Sequence, residues 1–446
     1  MANEDRPNIL WIFSDQHRGS AMGCAGDPNV ETPHLDRLAR EGVRFTNAYA
    51  NDPLCSPFRA SLFTGQYCTT HGVISNHRPL LPGRPVLPLI LKDSGYHTSY
   101  MGKWHISGGC FGHHFVSPWY RPGWDDWLGW ENANVHFDFE YSVGTSPRIL
   151  TADGYMTDWL TDRTIEWLDR RPRGQPWFHV VSSEPPHPPS VAPEPYMAAY
   201  RGRELQHRKN FPLDHPRREQ FEQSLRGYYA QIKNIDDNVG RLLDALERSG
   251  LLNETIVCYL SDHGDFMGSH GRMSKERPEE ESANIPLIVR YPPSIPAGRT
   301  SDALIGGVDI MPTLLGLLGI PAPATVEGRD LSAAVRGIDD SGAEYVYIQY
   351  EHCIYPEDPH LVWRALRTGP WSVTCTLLDG PTQLFNLPAD PYQMGNLIDS
   401  PEHRAERDRL LGRMRQIAAE IGDGFFDRAE FERGAGGATA QEAGPS

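Results

Sequence analysis

The sequence predicts an α/β protein with a large, mostly parallel or mixed central sheet, helices on both of its faces, and a small C-terminal antiparallel sheet with one helix. Up to about residue 340, short apolar runs alternate with helical patterns, which is typical of parallel strands joined by helices. After residue 340, four strand-like runs follow one another with short connections before one helical stretch. We therefore expect a main domain over 1–340, a subdomain over 341–428 and a disordered tail over 429–446, where small polar residues dominate.

The individual elements follow from the spacing of apolar residues. Buried strands have short unbroken apolar runs, whereas helices repeat apolar residues every three or four positions; the longest helical pattern runs this way from Phe221 to Leu246. The predicted strands of the large sheet are 8–13, 97–101, 177–182 and 255–260, and the predicted helices are 35–41, 88–94, 157–169 and 217–248. The predicted strands of the small sheet are 345–350, 361–367, 371–377 and 383–385, before a helix over 402–421.

Composition excludes several classes of partner. The chain has 58 acidic and 42 basic residues, a formal charge of −16, and no dense lysine/arginine run, so we expect no nucleic-acid partner. Its longest apolar runs, 8–13 and 313–320, are too short to span a bilayer. The N-terminus does not resemble a secretory signal, and the seven cysteines contain no C-x-x-C pair, so we expect a cytoplasmic protein with reduced thiols.

Polar side chains gather where four predicted strands end. In open α/β sheets, ligands bind beyond the carboxyl ends of the strands. The segments at those ends are Ser14–His17, Gly102–His105, Glu184–His187 and Ser261–Asp265. Each of them alone could be an ordinary turn, but four together predict one common site.

The residue types at this predicted site divide into metal ligands and cations. Asp15, Gln16, Asp262 and His263 offer three oxygen ligands and one imidazole, which suits a divalent cation such as Ca²⁺, Mg²⁺ or Mn²⁺ better than zinc. A metal and cations together stabilise charge that grows on a transferring sulfuryl or phosphoryl group. The candidate cationic or protonatable groups are Arg59, Lys103, His105, His187 and Lys275.

A fifth segment, NDPLCSPFRASLFTG over 51–65, points to the same site. Pro57 suits the first position of a helix and Gly65 the position just past its end. Cys55 then lies at the helix mouth, and Arg59 lies in the first turn, where a cation is unfavourable. A broken local rule indicates function, although a buried cysteine beside a surface arginine is the structural alternative.

The tryptophans between Phe111 and Tyr141 allow two interpretations. Four of them, Trp119, Trp124, Trp127 and Trp130, lie in one short span. They could form a platform that stacks on a substrate ring, or the segment could fold on its own tryptophans against the domain. The second interpretation is favoured.

Three of these motifs resemble the type I sulfatases of the alkaline-phosphatase-like superfamily. Cys55-Ser-Pro-Phe-Arg59 matches the Cys-x-Pro-x-Arg signature of that family, and Gly102-Lys-Trp-His105 resembles its second signature. Asp262-His-Gly, followed by Lys275, matches a third block, and the resemblance extends over about residues 7–400. The 1–340 domain is then the catalytic one, and the chain is expected to hydrolyse sulfate monoesters.

The resemblance also implies how the site works. A formylglycine-generating enzyme would convert Cys55 to Cα-formylglycine (3-oxoalanine), whose hydrate attacks sulfur and also binds the metal, with Ca²⁺ as the first choice of ion. Arg59 and the metal would hold the hydrate, and Lys103 would bind a sulfate oxygen. His105 would take the proton that releases sulfate, and Lys275 or His187 would protonate the leaving alcohol. Metal ligands would be Asp15, Gln16, Cys55, Asp262 and His263.

Two departures from the family pattern leave alternatives. Gln16 stands where a second aspartate is frequent, and Phe58 where serine is usual. The Asp-Gln and Asp-His pairs also resemble phosphonate monoester hydrolases, and an unmodified Cys55 would indicate an inactive anion-binding homologue. Gly102-Lys-Trp-His105 favours the sulfatase. The expected substrate is a small sulfated sugar, aryl sulfate or alkyl sulfate, and the oligomeric state stays open.

Overall fold

A ten-stranded mixed sheet forms the centre of the protein. The computed structural model describes residues 6–109, 114–339, 341–351 and 361–430. A second sheet of four antiparallel strands follows near the C-terminus. The strands are β1 (Asn8–Asp15), β2 (Val43–Phe45), β3 (Ala48–Tyr49), β4 (His97–Lys103), β5 (Asp126–Trp130), β6 (Glu140–Val143), β7 (Ile149–Thr151), β8 (Trp177–Pro186), β9 (Thr255–Ser261), β10 (Leu287–Arg290), β11 (Arg299–Ser301), β12 (Ile305–Gly306), β13 (Val346–Tyr350), β14 (Trp363–Arg367), β15 (Trp371–Thr376) and β16 (Gly380–Asn386).

Helices cover both faces of the large sheet. The helices are α1 (Pro33–Arg40), α2 (Cys55–Thr64), α3 (Cys68–His71), α4 (Leu87–Asp93), α5 (Met156–Arg170), α6 (Glu194–Tyr200), α7 (Arg218–Arg248), α8 (Glu280–Ala283), α9 (Gly307–Leu318), α10 (Ser332–Val335) and α11 (Arg404–Glu420). One apolar core lies between the sheet and α2, α4 and α9, and another lies between the sheet and α1, α5 and α7. The predicted two-sided α/β architecture is confirmed.

The strand order explains why four chain segments meet. The large sheet runs β11-β2-β10-β9-β1-β8-β4-β5-β6-β7. Its central strands β9, β1, β8, β4 and β5 are parallel, and the antiparallel pairs lie towards the edges. All eight residues of β1 are buried, as expected for a strand covered on both faces. The carboxyl ends of the parallel strands therefore lie at one edge of the sheet.

Helix α2 brings the Cys55 segment to that edge. It begins at Cys55, after the extended residue Leu54, and ends at Gly65, whose φ is 65°. Pro57 is thus the third helical residue, whereas the sequence analysis predicted that it would be the first. This shift is tolerated because N–H groups in the first turn have no partner within the helix. Every residue of α2 is buried.

The C-terminal sheet and α11 pack as predicted and also support the Cys55 segment. The Gln349 N–H donates to the Asn51 carbonyl (2.7 Å), and the Asn51 amide donates to the Tyr347 carbonyl (2.7 Å). β13 therefore contacts the residues that lead into α2. Ala429, which the predicted tail includes, is buried in this subdomain, and residues 431–446 of that tail lie outside the described residues.

The expectations about membrane spans and thiols can be compared with the described part of the chain. No helix there is long and apolar enough to cross a membrane. Cys24, Cys55, Cys68 and Cys258 are free thiols there.

A buried carboxylate joins α7 to α1 and makes stability depend on pH. Asp236 accepts hydrogen bonds from the N–H groups of His34 (3.0 Å) and Leu35 (2.8 Å), and burial raises its pKa to about 7. Between pH 4 and 7 the unfolded chain loses this proton and the folded chain keeps it, so stability falls as pH rises. We expect Asp236→Asn to be about 1–2 kcal/mol more stable than wild type at pH 8, with a smaller gain at pH 5. Denaturant unfolding at both pH values tests this, and a variant that is less stable at both would contradict it.

Candidate active site

Arg59 is the fully buried centre of the candidate site. Its guanidinium lies 3.1 Å from Asp262 Oδ2 and 3.1 Å from Asp15 Oδ2, and it donates to the Lys103 carbonyl at 3.0 Å. Burial opposes the charged form, but Asp262 and Asp15 outweigh it and raise the Arg59 pKa. The two carboxylates offset the unfavourable position of this cation in the first turn of its helix. The sequence alone did not show them. The alternative of a surface arginine is wrong.

Asp15 connects this cation to a second one. Lys103 Nζ lies 2.7 Å from Asp15 Oδ2, and both side chains are buried. Burial disfavours the carboxylate, but the charges of Lys103, His187 and Arg59 outweigh it, so the Asp15 pKa is well below its usual range. The same pairing raises the pKa of Lys103 against its burial. Both groups are therefore charged at neutral pH.

Cys55 lies inside a group of candidate metal ligands. One donor atom from each of Asp15, Cys55, Asp262 and His263 falls within 4.8 Å of the others, and all four side chains are buried. The Cys55 sulfur lies 3.2 Å from His263 Nε2 and 3.8 Å from Asp15 Oδ1. This donor set of two carboxylates, an imidazole and a sulfur fits a divalent cation.

Gln16 and Lys275 border the same space. Lys275 Nζ donates to Gln16 Oε1 at 2.6 Å and lies 3.6 Å from the Cys55 sulfur. The backbone N–H of Gln16 donates to Asp262 Oδ1 at 3.0 Å. The structure thus brings together all of the residues that the sequence predicted as metal ligands.

Two histidines complete the predicted set. His105 is buried and has a left-handed backbone, with φ of 59°. Burial, with the nearby charge of Lys103, holds its pKa well below the usual range. His187 is partly buried, and burial with the charge of Lys275 lowers its pKa in the same way. Both imidazoles are neutral at neutral pH.

The Cys55 thiol itself is poorly suited to attack an ester. Burial and the charge of Asp15 raise its pKa to about 11. The thiolate is the nucleophilic form of cysteine, so at neutral pH almost none is present. Burial and the Asp15 carboxylate therefore both disfavour a reactive thiolate.

Two buried carboxylates that the sequence analysis did not assign hold the loops of the site. Asp265 Oδ1 accepts from the N–H groups of Met267 (2.8 Å) and Ser274 (2.9 Å), and its other oxygen accepts from the Gln16 amide. Glu184 accepts from the Trp130 indole (2.7 Å) and from two backbone N–H groups of the loop after β5. Both carboxylates stand in the strand-end segments already selected, but only the fold shows what they bind.

The tryptophans of the aromatic segment pack mainly against the cores of the large sheet. Trp124, Trp127 and Trp130 are buried in the cores on the two faces of the sheet, whereas Trp119 is 68% exposed. The interpretation that the tryptophans pack against the domain is confirmed for these three residues. Residues 110–113 lie outside the described part of the chain.

The fold and the site together define a hydrolase of the alkaline-phosphatase-like type, with candidate metal ligands beside buried cations at the carboxyl edge of the sheet. The sulfatase family profile matches residues 7–320, and the profile of the N-sulphoglucosamine sulphohydrolase C-terminal region matches residues 268–420. The chain therefore belongs to the sulfatase family, and it is a sulfuric ester hydrolase.

Individual relatives agree over nearly the whole chain. An ulvan-active sulfatase of Formosa agariphila is 35% identical over 95% of this chain and 83% of its own length. An N-acetylglucosamine-6-O-sulfatase of Bacteroides thetaiotaomicron is 27% identical, covering 95% of this chain and 88% of that protein. The solved structure of YidJ from Bacteroides fragilis has a TM-score of 0.88 at 29% identity, covering 95% and 98% of the two chains. The phosphonate monoester hydrolase alternative is not favoured.

Proposed function

We propose that this sulfatase cleaves sulfate esters of sugars with a formylglycine made from Cys55 and with one bound Ca²⁺ ion. The observation that carries the proposal is the position of Cys55, which lies inside the candidate metal cluster and beside Lys275. Burial and the charge of Asp15 raise the pKa of its thiol, which favours a different nucleophile at this position. The aldehyde hydrate of formylglycine supplies that nucleophile.

The modification requires a partner enzyme that acts before folding ends. Cys55 is 1% exposed, and all ten residues of its helix are buried. A formylglycine-generating enzyme cannot reach this side chain in the folded protein. We infer that it converts Cys55 while the segment around it is still unfolded.

The donor atoms favour a hard divalent cation, of which Ca²⁺ is our first choice. Asp15, Gln16 and Asp262 offer oxygen atoms, and conversion of Cys55 replaces a sulfur donor by oxygen, which leaves His263 as the nitrogen donor. Oxygen-rich sets favour Ca²⁺, Mg²⁺ and Mn²⁺ over softer ions. The bound ion would lower the pKa of the hydrate and withdraw charge from the sulfate.

The remaining side chains have separate roles in the proposed reaction. Arg59 and Lys103 are buried cations that are paired with Asp15, and they are placed to stabilise the charge that grows on sulfate oxygens. His105 is neutral and is the base that releases sulfate from the hydrate. Lys275, or His187 on the neighbouring loop, protonates the leaving alcohol.

The substrate class rests on the relatives. The two named here act on ulvan and on N-acetylglucosamine 6-sulfate by their descriptions. A screen with protein of confirmed formylglycine content tests this, using sulfate esters of sugars, 4-nitrophenyl sulfate and choline sulfate. The highest kcat/KM is expected for a sugar sulfate. A higher value for choline sulfate, or for a phosphodiester of the same alcohol, would overturn the proposal.

Removal of the metal should abolish activity reversibly. After chelation we expect kcat to fall to background and Ca²⁺ to restore it more fully than Mg²⁺ or Mn²⁺. Calcium analysis before and after dialysis, with rates for each added ion, measures this. Full activity in metal-free protein would contradict the proposal. Better restoration by Mn²⁺ would show that Mn²⁺ and not Ca²⁺ is the preferred ion.

Asp265→Asn should weaken metal binding without direct contact with the ion. Asparagine keeps one oxygen for the Met267 and Ser274 N–H groups, but it turns an amide towards the Gln16 amide and disturbs Gln16. Loss of a group that orients a metal ligand costs about 10–100-fold in affinity. Calcium titration of the variant against Asp302→Asn, which changes an exposed aspartate, tests this. Equal affinities would remove Gln16 from the ligand set.

A further inference from the structure

A cleft lies at the amino edge of the large sheet, opposite the candidate active site. It has a volume of about 500 Å³ and is formed by the segments that precede β1, β8 and β9 and by the residues after the antiparallel strand β10. Asn8 at the start of β1 lines this cleft, whereas Asp15 at the end of the same strand lies in the active site. The rise of a strand, about 3.3 Å per residue, places these two residues about 23 Å apart. The cleft is therefore separate from the active site.

Three arginines and one carboxylate line this amino-edge cleft. The arginines are Arg6, Arg171 and Arg173, and the carboxylate is Glu254. The other lining residues are uncharged, so three positive charges stand against one negative charge in a protein whose formal charge is −16. Among the described residues, no carboxylate oxygen lies within 4.0 Å of any of the three guanidinium groups. The cleft is therefore a positively charged region of an acidic protein.

Arg171 is the most buried of the three arginines. It is 7% exposed, and its guanidinium donates to the Leu168 carbonyl. Burial and the charge of Arg173 lower the Arg171 pKa, and the opposing charges of Asp169 and Glu254 do not outweigh them. A bound anion would supply the negative charge that this pair of arginines lacks.

The other buried arginines of the described chain have more partners. Arg121, which also lacks a carboxylate, donates to the carbonyls of Val116 and Gly144. The remaining ones each lie within 4.0 Å of a carboxylate oxygen, and they are Arg18, Arg59, Arg290, Arg364 and Arg367. For Arg171 the Leu168 carbonyl is the one acceptor in the described part of the chain. Because a guanidinium has five N–H donors, Arg171 keeps donors for a ligand.

We propose that the amino-edge cleft binds a small phosphate monoester. Such a group carries a charge of about −1.5 to −2 at neutral pH, which matches the excess of positive charge in the cleft. Guanidinium groups bind phosphate oxygens through paired hydrogen bonds. Apolar side chains of the lining offer contact to the organic part of an ester, and these are Pro7, Leu251, Tyr291 and Pro293. The volume of the cleft is also within the range of small-molecule sites.

This inference goes beyond the proposed function and does not depend on it. The cleft shares no residue with the candidate metal ligands or with the catalytic groups. Substitutions at the cleft should therefore leave turnover of sulfate esters unchanged. Binding at the cleft is then measurable whatever ester the active site cleaves.

Calorimetry on the intact protein with three probes tests the proposal. Phenyl phosphate has both features of the expected ligand, inorganic phosphate lacks the organic part, and benzenesulfonate has the ring but a single negative charge. The variants are Arg6→Ala and Arg173→Ala. The control is Arg404→Ala, which removes one positive charge at an exposed position of α11. Any binding of a probe at the active site is common to all of these proteins, so the binding that is lost in the two cleft variants belongs to the cleft.

We expect each cleft variant to bind phenyl phosphate about 10- to 100-fold more weakly there than wild type, the loss typical of hydrogen bonds to a charged group. The control should bind it as wild type does, and inorganic phosphate and benzenesulfonate should bind the cleft more weakly than phenyl phosphate. Identical isotherms for wild type and both cleft variants would overturn the proposal. So would an equal loss in Arg404→Ala, which would show a general effect of net charge, or a loss of sulfatase turnover in the cleft variants, which would show damage to the fold. Equal affinity of the cleft for inorganic phosphate would overturn the ester, and equal affinity for benzenesulfonate would overturn the phosphate group.

Discussion

Cys55→Ala should lose at least about 10³-fold in kcat, the scale seen when a nucleophile is removed from a group of residues that act together. Alanine supplies neither the aldehyde hydrate nor a metal ligand. The helix should still form, because alanine is a strong helix former and the buried surroundings of position 55 are kept. Steady-state rates with a sugar sulfate or 4-nitrophenyl sulfate, together with circular dichroism, measure both effects.

Cys258→Ala is the matched control for this variant. Cys258 is also a buried free thiol, in β9, but it lies among apolar core residues. We expect it to lose some stability through the small cavity left behind and to keep its kcat. Full activity in Cys55→Ala would refute the nucleophile assignment.

Asp262→Asn should lose metal and activity together, with kcat/KM at least about 100-fold lower. The change keeps an oxygen for the N–H groups of Gln16 and His263, which donate to Asp262 Oδ1 at 3.0 Å each. It turns an amide towards Arg59, however, and removes one of the two carboxylates that balance this buried cation. Metal analysis and rates on the purified variant test the prediction.

The control here is Asp302→Asn, which removes one negative charge at an exposed position. It should leave metal content and rate unchanged. A fully metal-loaded Asp262→Asn protein would remove that residue from the set of metal ligands. Its roles would then be the pairing with Arg59 and the hydrogen bonds from the N–H groups of Gln16 and His263.

The parallel order of the large sheet accounts for how well the site could be predicted. Asp15, Lys103 and Asp262 are far apart in sequence, but each follows an apolar strand, and parallel strands bring such ends together. The Cys55 segment was recognised by its family signature and by the unfavourable position of Arg59. That local exception was explained only when two buried carboxylates were found within 3.1 Å of the guanidinium.

Contacts between distant side chains could not be predicted in the same way. Glu184 and Asp265 have nothing in their local sequence that shows which backbone N–H groups they accept from. The start of α2 was placed at Pro57 because proline favours a first position, but the extended backbone at Leu54 starts the helix at Cys55.

Peptide mass spectrometry of the segment around residue 55 tests the central claim most directly. The protein is produced with a formylglycine-generating enzyme, and the converted fraction is compared with kcat across several preparations. We predict a residue in which one oxygen replaces the sulfur and two hydrogens of cysteine, and an activity that rises in proportion to that fraction. Fully active protein with an unmodified Cys55 thiol would contradict the account.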